Sequence, residues 1–397
     1  MKAHHLVPGH LVPGELVTVR PQYGTGSLGD VLPSVLAVLG VPDSVDRLGL
    51  ARDLPEVRRV AVLLVDGLGQ YQLPVAAPHA PTLADIHAGR MGSARMLTSG
   101  FPSTTPTSLV SLGTGAVPGA HGVLGFRLNV PGTTRVLNHI EWWGDPDPDL
   151  WQPVPTQMQR AAAAGVDVSV VTRPEFAGSG LTRAANRGGG FVGAGDVDTL
   201  AERMIAALTT GQPPVLVSGY HPEVDQTGHR HGVDSEPWRA AVSDVDRLVS
   251  RLAAGLPADA ALLVTADHGQ LNVPAEHRFD LDGDARLRAG VRVVAGEPRV
   301  RYLHVEPGAR DDVVATWREL LGAAAWVTTR EEAVAAGWFG PVLEAHLQRV
   351  GDVVVACRDT YVVVATRTEK PLESTLVAYH GSATAAEMMI PLLVVRG

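Results

Sequence analysis

The sequence has little cysteine, a deficit of basic residues and no long apolar run. Cys357 is its single cysteine, which excludes an internal disulfide framework and a cysteine-based zinc ribbon. Apolar runs such as Val60 to Val65 end at a charge and stay short of the roughly 18 to 20 residues that span a bilayer. Lysine and arginine number 33 against 42 acidic residues, and the net charge of −9 argues against broad binding to nucleic acid or anionic membranes.

The remaining composition is that of a folded protein. Of 397 residues, 45% are hydrophobic and 19% are charged, which excludes disorder as the main state. This length predicts two or three domains, or one large α/β core with an insertion. Residues Met1 to Gly9 hold no apolar stretch typical of a secretory signal, and the repeated Leu-Val-Pro-Gly at 6–9 and 11–14 predicts an irregular arm. We therefore expect a soluble, cytoplasmic protein of undetermined oligomeric state.

Apolar runs alternate with amphipathic segments through the first two thirds of the chain. Arg59 to Val65 is continuous and rich in valine, which is typical of a strand buried on both faces of a parallel sheet. Similar runs occupy 166–171, 215–218 and 261–265. Helical periodicity between them predicts helices over 157–164, over 198–208 and from the N-cap Ser235 to Gly255. This repetition predicts a doubly wound α/β fold.

A different pattern begins near residue 276. Short strands predicted over 291–294 and 300–305 surround one helix over 310–321, before a last core strand over 390–395. We predict a core at 25–275, a small, cap-like α+β insertion at 276–374, and a closing core segment at 375–397.

Acids and histidines follow the predicted core strands. Asp66 comes directly after Val65, and Asp267 and His268 come just after the run that ends at Thr265. Ligands of open parallel sheets bind beyond the carboxyl ends of strands. Asp225 and His229 are four residues apart, a spacing that can turn both side chains toward one cation. Each motif alone is more typical of a turn or a buried histidine, but together they favour a metal-assisted site.

A hydroxyl stands at the start of a predicted helix. Thr105 followed by Pro106 predicts an N-cap and the first helical residue, with Leu109 and Leu112 on the buried side. Free N–H groups and the helix dipole at such a position stabilise an oxyanion or a phosphate. Taken alone, this motif is more typical of a plain Ser/Thr cap.

The candidate ligands divide into two sets. Asp66, Asp267, His268 and the Thr105 hydroxyl would give one cation four ligands; His380 would join Asp225 and His229 around a second, with an open position. Mixed Asp/His ligation suits zinc, and three protein ligands plus water is the catalytic zinc pattern. Two cations roughly 3.5 to 4 Å apart clamp the attacking and leaving oxygens of an in-line displacement.

The order of these segments resembles the alkaline phosphatase superfamily, and within it the nucleotide pyrophosphatase/phosphodiesterase branch. The resemblance covers about 60–275 and the segment of His380. Its nucleophile motif is matched in register by Phe101-Pro102-Ser103-Thr104-Thr105, Thr114-Gly115, Pro118 and His121-Gly122. The resemblance implies a three-layer sandwich around a mostly parallel sheet, with Thr105 rather than Thr104 as the nucleophile.

The resemblance also implies a function and shows one departure. It implies metal-dependent hydrolysis of phosphate esters, most of all phosphodiester or nucleotide pyrophosphate bonds, through a phosphothreonine intermediate. The enzyme's cofactors would be two divalent ions, with zinc preferred, and its substrate a small phosphate ester such as a nucleotide. Because the ligand histidines must be neutral to bind metal, we expect activity to fall at acid pH. The family usually has an asparagine three residues after the nucleophile to bind a phosphoryl oxygen. Ser108 stands there and can still donate one hydrogen bond.

Other functions remain as alternatives. A phosphomonoesterase of the same superfamily is possible, and a non-catalytic metal- or phosphate-binding protein is less favoured because all seven ligand positions are competent. A sulfatase is disfavoured since Cys357 lacks the Cys/Ser-x-Pro-x-Arg context, and a cofactor-independent phosphoglycerate mutase would use serine. The acidic balance argues against a nucleic-acid-binding module. For Trp142, Trp143 and Trp151 we favour core packing over nucleobase stacking.

Overall fold

The computed structural model describes residues 16–397, so the arm predicted at 6–14 lies outside the described residues. The strands are β1 (Arg59–Val65), β2 (Ser93–Thr98), β3 (Arg127–Asn129), β4 (Val136–Asn138), β5 (Asp167–Thr172), β6 (Gly190–Gly193), β7 (Val215–His221), β8 (Ala260–Thr265), β9 (Leu271–Asn272), β10 (Arg278–Asp280), β11 (Val291–Glu297), β12 (Val300–Val305), β13 (Ala325–Thr329), β14 (Val353–Cys357), β15 (Val362–Val364), β16 (Ala378–Tyr379) and β17 (Met389–Arg396).

The α-helices are α1 (Val31–Val38), α2 (Leu50–Asp53), α3 (Gln72–Ala76), α4 (Pro81–His87), α5 (Thr105–Thr114), α6 (Pro118–His121), α7 (Pro148–Trp151), α8 (Gln157–Ala163), α9 (Gly180–Asn186), α10 (Val197–Thr210), α11 (Glu223–His231), α12 (Glu236–Ala254), α13 (Ala285–Arg288), α14 (Arg310–Leu321), α15 (Arg330–Ala335), α16 (Glu344–Leu347), α17 (Pro371–Thr375) and α18 (Ala385–Met388). Several of them are single turns that bend the chain between longer elements.

A seven-stranded sheet forms the core, in the order β2-β17-β8-β1-β7-β5-β6. Strands β8, β1, β7, β5 and β6 run parallel, whereas β17 is antiparallel to both of its neighbours. Leu64 of β1 lies opposite both Tyr220 of β7 and Thr265 of β8, so these three strands end at one edge. The predicted α/β fold with a mostly parallel sheet is confirmed.

Helices pack against this sheet as the apolar periodicity predicts. Helix α12 begins where Ser235 Oγ accepts a hydrogen bond from the Trp238 N–H, 3.3 Å away, and ends before Gly255. Its apolar side chains are buried together with those of α10 and the central strands. A second group, α1, α5 and α8, packs together and reaches the sheet through α8, which contacts β5. The layers therefore follow from amphipathic helices that each bury one face.

A second sheet is built from residues 291–357. Its order is β11-β12-β14-β13, all pairs are antiparallel, and α14 packs on it around the buried Trp317. Tyr302 donates a hydrogen bond to the Leu124 carbonyl at 2.7 Å, which ties this sheet to the core chain. The strands and the helix predicted in this stretch are thus present.

The tryptophans divide by environment. Trp142 and Trp151 are buried, and the Trp151 Nε1–H donates to His139 Nε2 at 3.1 Å. Trp143 is 68% exposed. Core packing therefore accounts for two of the three.

Within residues 16–397, none of the helices combines the length and the apolar character needed to cross a membrane.

Candidate active site

Thr105 is the first residue of α5, and this corrects one prediction. The N-cap is Thr104, with extended φ −134° and ψ 146°, so Thr105 is the first helical residue and Pro106 the second. The sequence predicts Thr105 as the N-cap and Pro106 as the first helical residue, so both residues stand one position further into the helix than predicted. The first four N–H groups of a helix have no intrahelical acceptor, so proline is tolerated at the second position as well as at the first. Thr105 remains in the turn where positive helix potential is greatest.

The first cluster lies at the ends of β1 and β8 and consists of Asp66, Asp267 and His268. Their ligand atoms all lie within 4.8 Å of one another, and all three side chains are buried. His268 Nε2 is 3.5 Å from Asp66 Oδ1 and 3.2 Å from Asp267 Oδ2. Thr105 Oγ1 is 3.1 Å from the same nitrogen. The structure thus brings together all four residues predicted to share one cation.

The second cluster consists of Asp225 and His229 on α11 and His380 after β16. One turn of helix separates the first two, and Asp225 Oδ2 lies 3.3 Å from His229 Nε2. His380 Nε2 is 3.6 Å from Asp225 Oδ1 and 3.1 Å from His229 Nε2. The predicted i, i+4 spacing places both helix side chains on one side, as expected for a helical pair. His380 reaches them from a distant part of the chain.

The two clusters adjoin through their histidines. The rings of His268 and His380 stack with centroids 3.5 Å apart and an interplanar angle of 12°. Backbone carbonyls accept from the Nδ1 atoms of all three histidines: Ala378 O for His229 at 2.8 Å, Ser103 O for His380 at 2.9 Å, and Gly269 O for His268 at 3.2 Å. In this pattern a carbonyl fixes the orientation of each ring through its Nδ1–H, and each Nε2 is directed into its cluster, as in metal-binding histidines.

Burial sets the charge state of the two clusters. It raises the pKa of Asp267 to about 6, and it raises the pKa of Asp66 further above the usual range with the help of the negative neighbours Asp267 and Asp225. Burial likewise raises the pKa of Asp225. The pKa of His268 falls to about 4 because the buried ring resists a proton. The site therefore holds crowded carboxylates beside a neutral imidazole, which favours cations.

Glycine permits the close approach of the two clusters. Gly67 follows Asp66 with φ +73°, and its N–H donates to Asp267 Oδ1 at 3.1 Å. A Cβ at this position would lie 2.9 Å from the Asp225 Cα. Both the backbone conformation and the contact require glycine at this position.

Other residues support the ligands without having been predicted. Tyr220, the penultimate residue of β7, donates its hydroxyl to Asp66 Oδ2, and Gln270 Nε2 donates to Asp225 Oδ1 and, at 3.0 Å, to the Asp225 carbonyl. Their only sequence signal is a place beside predicted ligands at strand ends. Ser108 is buried and donates to the Asp267 carbonyl at 3.0 Å. Its predicted contact with substrate stays a prediction, because in this arrangement its proton serves that carbonyl.

Residues 60–383 match the sequence family described as Type I phosphodiesterase / nucleotide pyrophosphatase. The chain belongs to this family. The match covers both clusters, Thr105 and the whole second sheet, and it ends before the last core strand, β17.

The individual relatives share little sequence identity with this chain. Human ectonucleotide pyrophosphatase/phosphodiesterase family member 7 is 27% identical over 192 residues, which are 45% of this chain and 41% of that protein. Murine ectonucleotide pyrophosphatase/phosphodiesterase 5 superposes with a TM-score of 0.66 at 19% identity, covering 84% of this chain and 87% of the other. Phosphonoacetate hydrolase from Sinorhizobium meliloti 1021, in complex with phosphonoformate, superposes with a TM-score of 0.65 at 20% sequence identity, covering 86% of this chain and 91% of the other. These structures share the α/β fold of this chain.

Proposed function

We propose that this chain is a metal-dependent hydrolase of phosphate esters that prefers phosphodiester or nucleotide pyrophosphate bonds and uses Thr105 as its nucleophile. One observation carries the proposal: the Thr105 hydroxyl lies 3.1 Å from His268 Nε2, at the helix start beside two adjoining ligand clusters. Membership of a phosphodiesterase family supports the reaction class.

The residues of both clusters fit divalent cations. Asp66 Oδ1 and Asp267 Oδ2 are buried and have no hydrogen-bond partner among residues 16–397, an arrangement that is costly unless a cation binds them. The histidine Nε2 atoms face the same space. Asp66, Asp267, His268 and Thr105 would hold one ion, and Asp225, His229 and His380 the other. Mixed carboxylate and imidazole ligands suit zinc.

When bound, two such ions would supply Lewis acidity to the phosphoryl oxygens and neutralise charge on the attacking and leaving oxygens. The chain's own part begins with the Thr105 hydroxyl, which releases its proton to solvent. Its oxygen forms a bond to phosphorus as the bond to the leaving oxygen breaks, and a phosphothreonine results. A water oxygen then attacks phosphorus and loses a proton, and the bond to the Thr105 oxygen breaks as that oxygen takes up a proton to restore the hydroxyl. The N–H groups at the start of α5 stabilise negative charge on the phosphoryl group in both steps.

The nucleophile is tested by two neighbouring variants. We expect Thr105→Ala to lower the turnover of bis-p-nitrophenyl phosphate by about 10³-fold or more while the bound zinc, measured by atomic absorption, stays near the wild-type amount. Thr104→Val keeps the shape of the adjacent buried residue and should retain turnover within about threefold of wild type. Equal activity of Thr105→Ala and wild type would refute the assignment, and loss in Thr104→Val alone would move the nucleophile to Thr104.

The ester preference needs its own measurement. An inactive form of the murine family member 5 has been solved in complex with AMP, and this supports a nucleotide ester as substrate here. We expect kcat/KM to be higher for bis-p-nitrophenyl phosphate than for p-nitrophenyl phosphate. The reverse order would make the chain a phosphomonoesterase of the same superfamily.

We also propose the division into a core at 25–275, an insertion at 276–374 and a closing segment at 375–397. Pairing of β9 with β16 joins the end of the core to the closing segment, and pairing of β10 with β15 joins the two ends of the insertion. A cytoplasmic location remains a prediction from the sequence.

A further inference from the structure

A buried ion pair connects the second sheet to the active-site side of the core. Arg299 lies in the tight connection between β11 and β12, and Glu387 lies on α18. Arg299 Nε donates to Glu387 Oε1 at 2.9 Å and Nη2 donates to Oε2 at 2.6 Å, and both side chains are fully buried. A bidentate pair of this kind fixes orientation as well as distance.

Glu387 in turn holds the loop that follows His380. Its Oε1 accepts from the Ser382 N–H at 2.9 Å, and its Oε2 accepts from the Thr384 N–H at 3.3 Å and from the Thr384 hydroxyl. The carboxylate therefore fixes the backbone only two residues from His380. Because Arg299 orients this carboxylate, the position of the loop depends on the insertion.

The same loop holds the segment before the nucleophile. The Ser103 N–H donates to Gly381 O at 3.0 Å, Ser103 Oγ donates to Ser382 O at 2.6 Å, and His380 Nδ1 donates to Ser103 O at 2.9 Å. Ser103 is two residues before Thr105. One continuous set of hydrogen bonds thus runs from Arg299 to a candidate ligand and to the approach of the nucleophile.

The tip of β11 also packs directly on the loop. Gly381 has φ +129°, and a Cβ there would lie 2.8 Å from the Glu297 Cδ. The loop has no room to move toward the second sheet at this point. Glu297 at the end of β11 therefore contacts the loop directly, and Arg299, two residues further along, reaches it through Glu387.

We propose that Arg299 is a positioning residue: through Glu387 it sets the placement of His380 and Ser103, and hence of the second cluster and Thr105. This inference rests on the proposed function, since it gives the insertion a part in building that same site. It predicts that the affinity of the second cluster for its ion depends on a residue that touches no ligand.

The chain contains a matched control. Arg301 is also fully buried and ion-paired, but its guanidinium contacts Glu369 and donates from Nε to the Val363 carbonyl at 2.9 Å. Arg301→Lys disturbs another ion pair of the insertion, whose Glu369 side chain is 13% exposed, without touching the hydrogen bonds around His380. Arg299→Lys keeps the charge and loses the bidentate geometry.

Zinc titration of the chelator-stripped full chain by calorimetry tests the inference, together with kcat, KM and Tm. We expect Arg299→Lys to weaken one of two zinc sites by about 10-fold and to lower kcat with little change in KM. Arg301→Lys should leave zinc affinity and kcat within about twofold of wild type at a similar loss of Tm. In an Asp225→Asn background, which removes a ligand of the second cluster, Arg299→Lys should cause no further loss of zinc affinity.

Equal effects of the two lysine variants, or a further loss of affinity in the Asp225→Asn background, would overturn the inference. If Arg299→Lys lacks a cooperative unfolding transition, Glu387→Gln against Glu369→Gln makes the same comparison from the other partner of each pair. A wild-type chain that binds two zinc ions but hydrolyses no ester would refute the proposed function. The zinc affinities of the variants would then still test the role of Arg299. A wild-type chain that binds no zinc would refute both.

Discussion

The two ligand clusters differ in charge, burial and support. The first has two carboxylates and one imidazole, follows strands β1 and β8, and its three residues are at most 3% exposed. The second has one carboxylate and two imidazoles, spans a helix and a loop, and its His229 side chain is 20% exposed. A more negative site beside Thr105 thus stands on the parallel sheet, and a less negative, more open one depends on loop contacts.

This difference indicates that the two clusters have different roles. Strand ends in a sheet are held by hydrogen bonds on both sides, so the first cluster places the nucleophile with little freedom. The second cluster is completed by His380, whose loop is fixed by Ser103 and Glu387. We expect changes in the first cluster to affect the attack by Thr105 most, and changes in the second to affect ion affinity and the departure of the leaving group.

The largest effect should come from neutralising a carboxylate in each cluster. Asp267→Asn removes a ligand from the cluster beside Thr105, and we expect kcat to fall by about 10³-fold or more, with loss of one bound ion. Asp225→Asn should also lose one ion but retain more activity, because the nucleophile's cluster stays intact. Metal analysis and kcat on bis-p-nitrophenyl phosphate measure both. Greater loss in Asp225→Asn would reverse the assigned roles.

A smaller effect should follow from removing the ions at different pH. Without ions, burial raises the pKa of Asp267 to about 6, so this acid takes up a proton as pH falls from 8 to 5. Burial also raises the pKa of Asp66 and Asp225 above the usual range of a carboxyl. Protonated ligands bind ions weakly, whereas His268, with a pKa near 4, is still neutral there. Zinc should raise Tm by about 5 °C or more at pH 8 and by much less at pH 5.

Calorimetric scans with and without a chelator at the two pH values measure this difference. An increase in Tm that is as large at pH 5 as at pH 8 would show that the carboxylates of the two clusters do not bind the ions.

The smallest effect should come from Glu297, the last residue of β11, which packs against Gly381 of the His380 loop. Burial raises its pKa to about 8, so the folded chain binds its proton more tightly than the unfolded chain. Its contribution to stability is therefore lost as pH rises from about 4.5 through about 8. Glu297→Gln should make Tm, measured without ions, less sensitive to pH over this window. An unchanged difference from wild type between pH 5 and 9 would refute this.

Much of the core could be predicted because apolar runs and ligand motifs are local in sequence. Asp66, Asp225 and Asp267 each follow or adjoin a strand whose apolar residues identify it, and strand ends in a parallel sheet meet at one edge. The sequence predicts the start of α5 one residue too late, because proline fits both of the first two helical positions. Tyr220, Gln270 and Arg299 could not be found this way, since their contacts join segments that are far apart in sequence.

We propose that the two clusters would hold two divalent ions beside the phosphoryl group that Thr105 attacks. A crystal structure of the Thr105→Ala chain with zinc and a nucleoside monophosphate, with anomalous data at the zinc edge, tests it most directly. We expect two anomalous peaks, one at Asp66/Asp267/His268 and one at Asp225/His229/His380, with the phosphate between them. One peak, or a phosphate bound away from the start of α5, would contradict it.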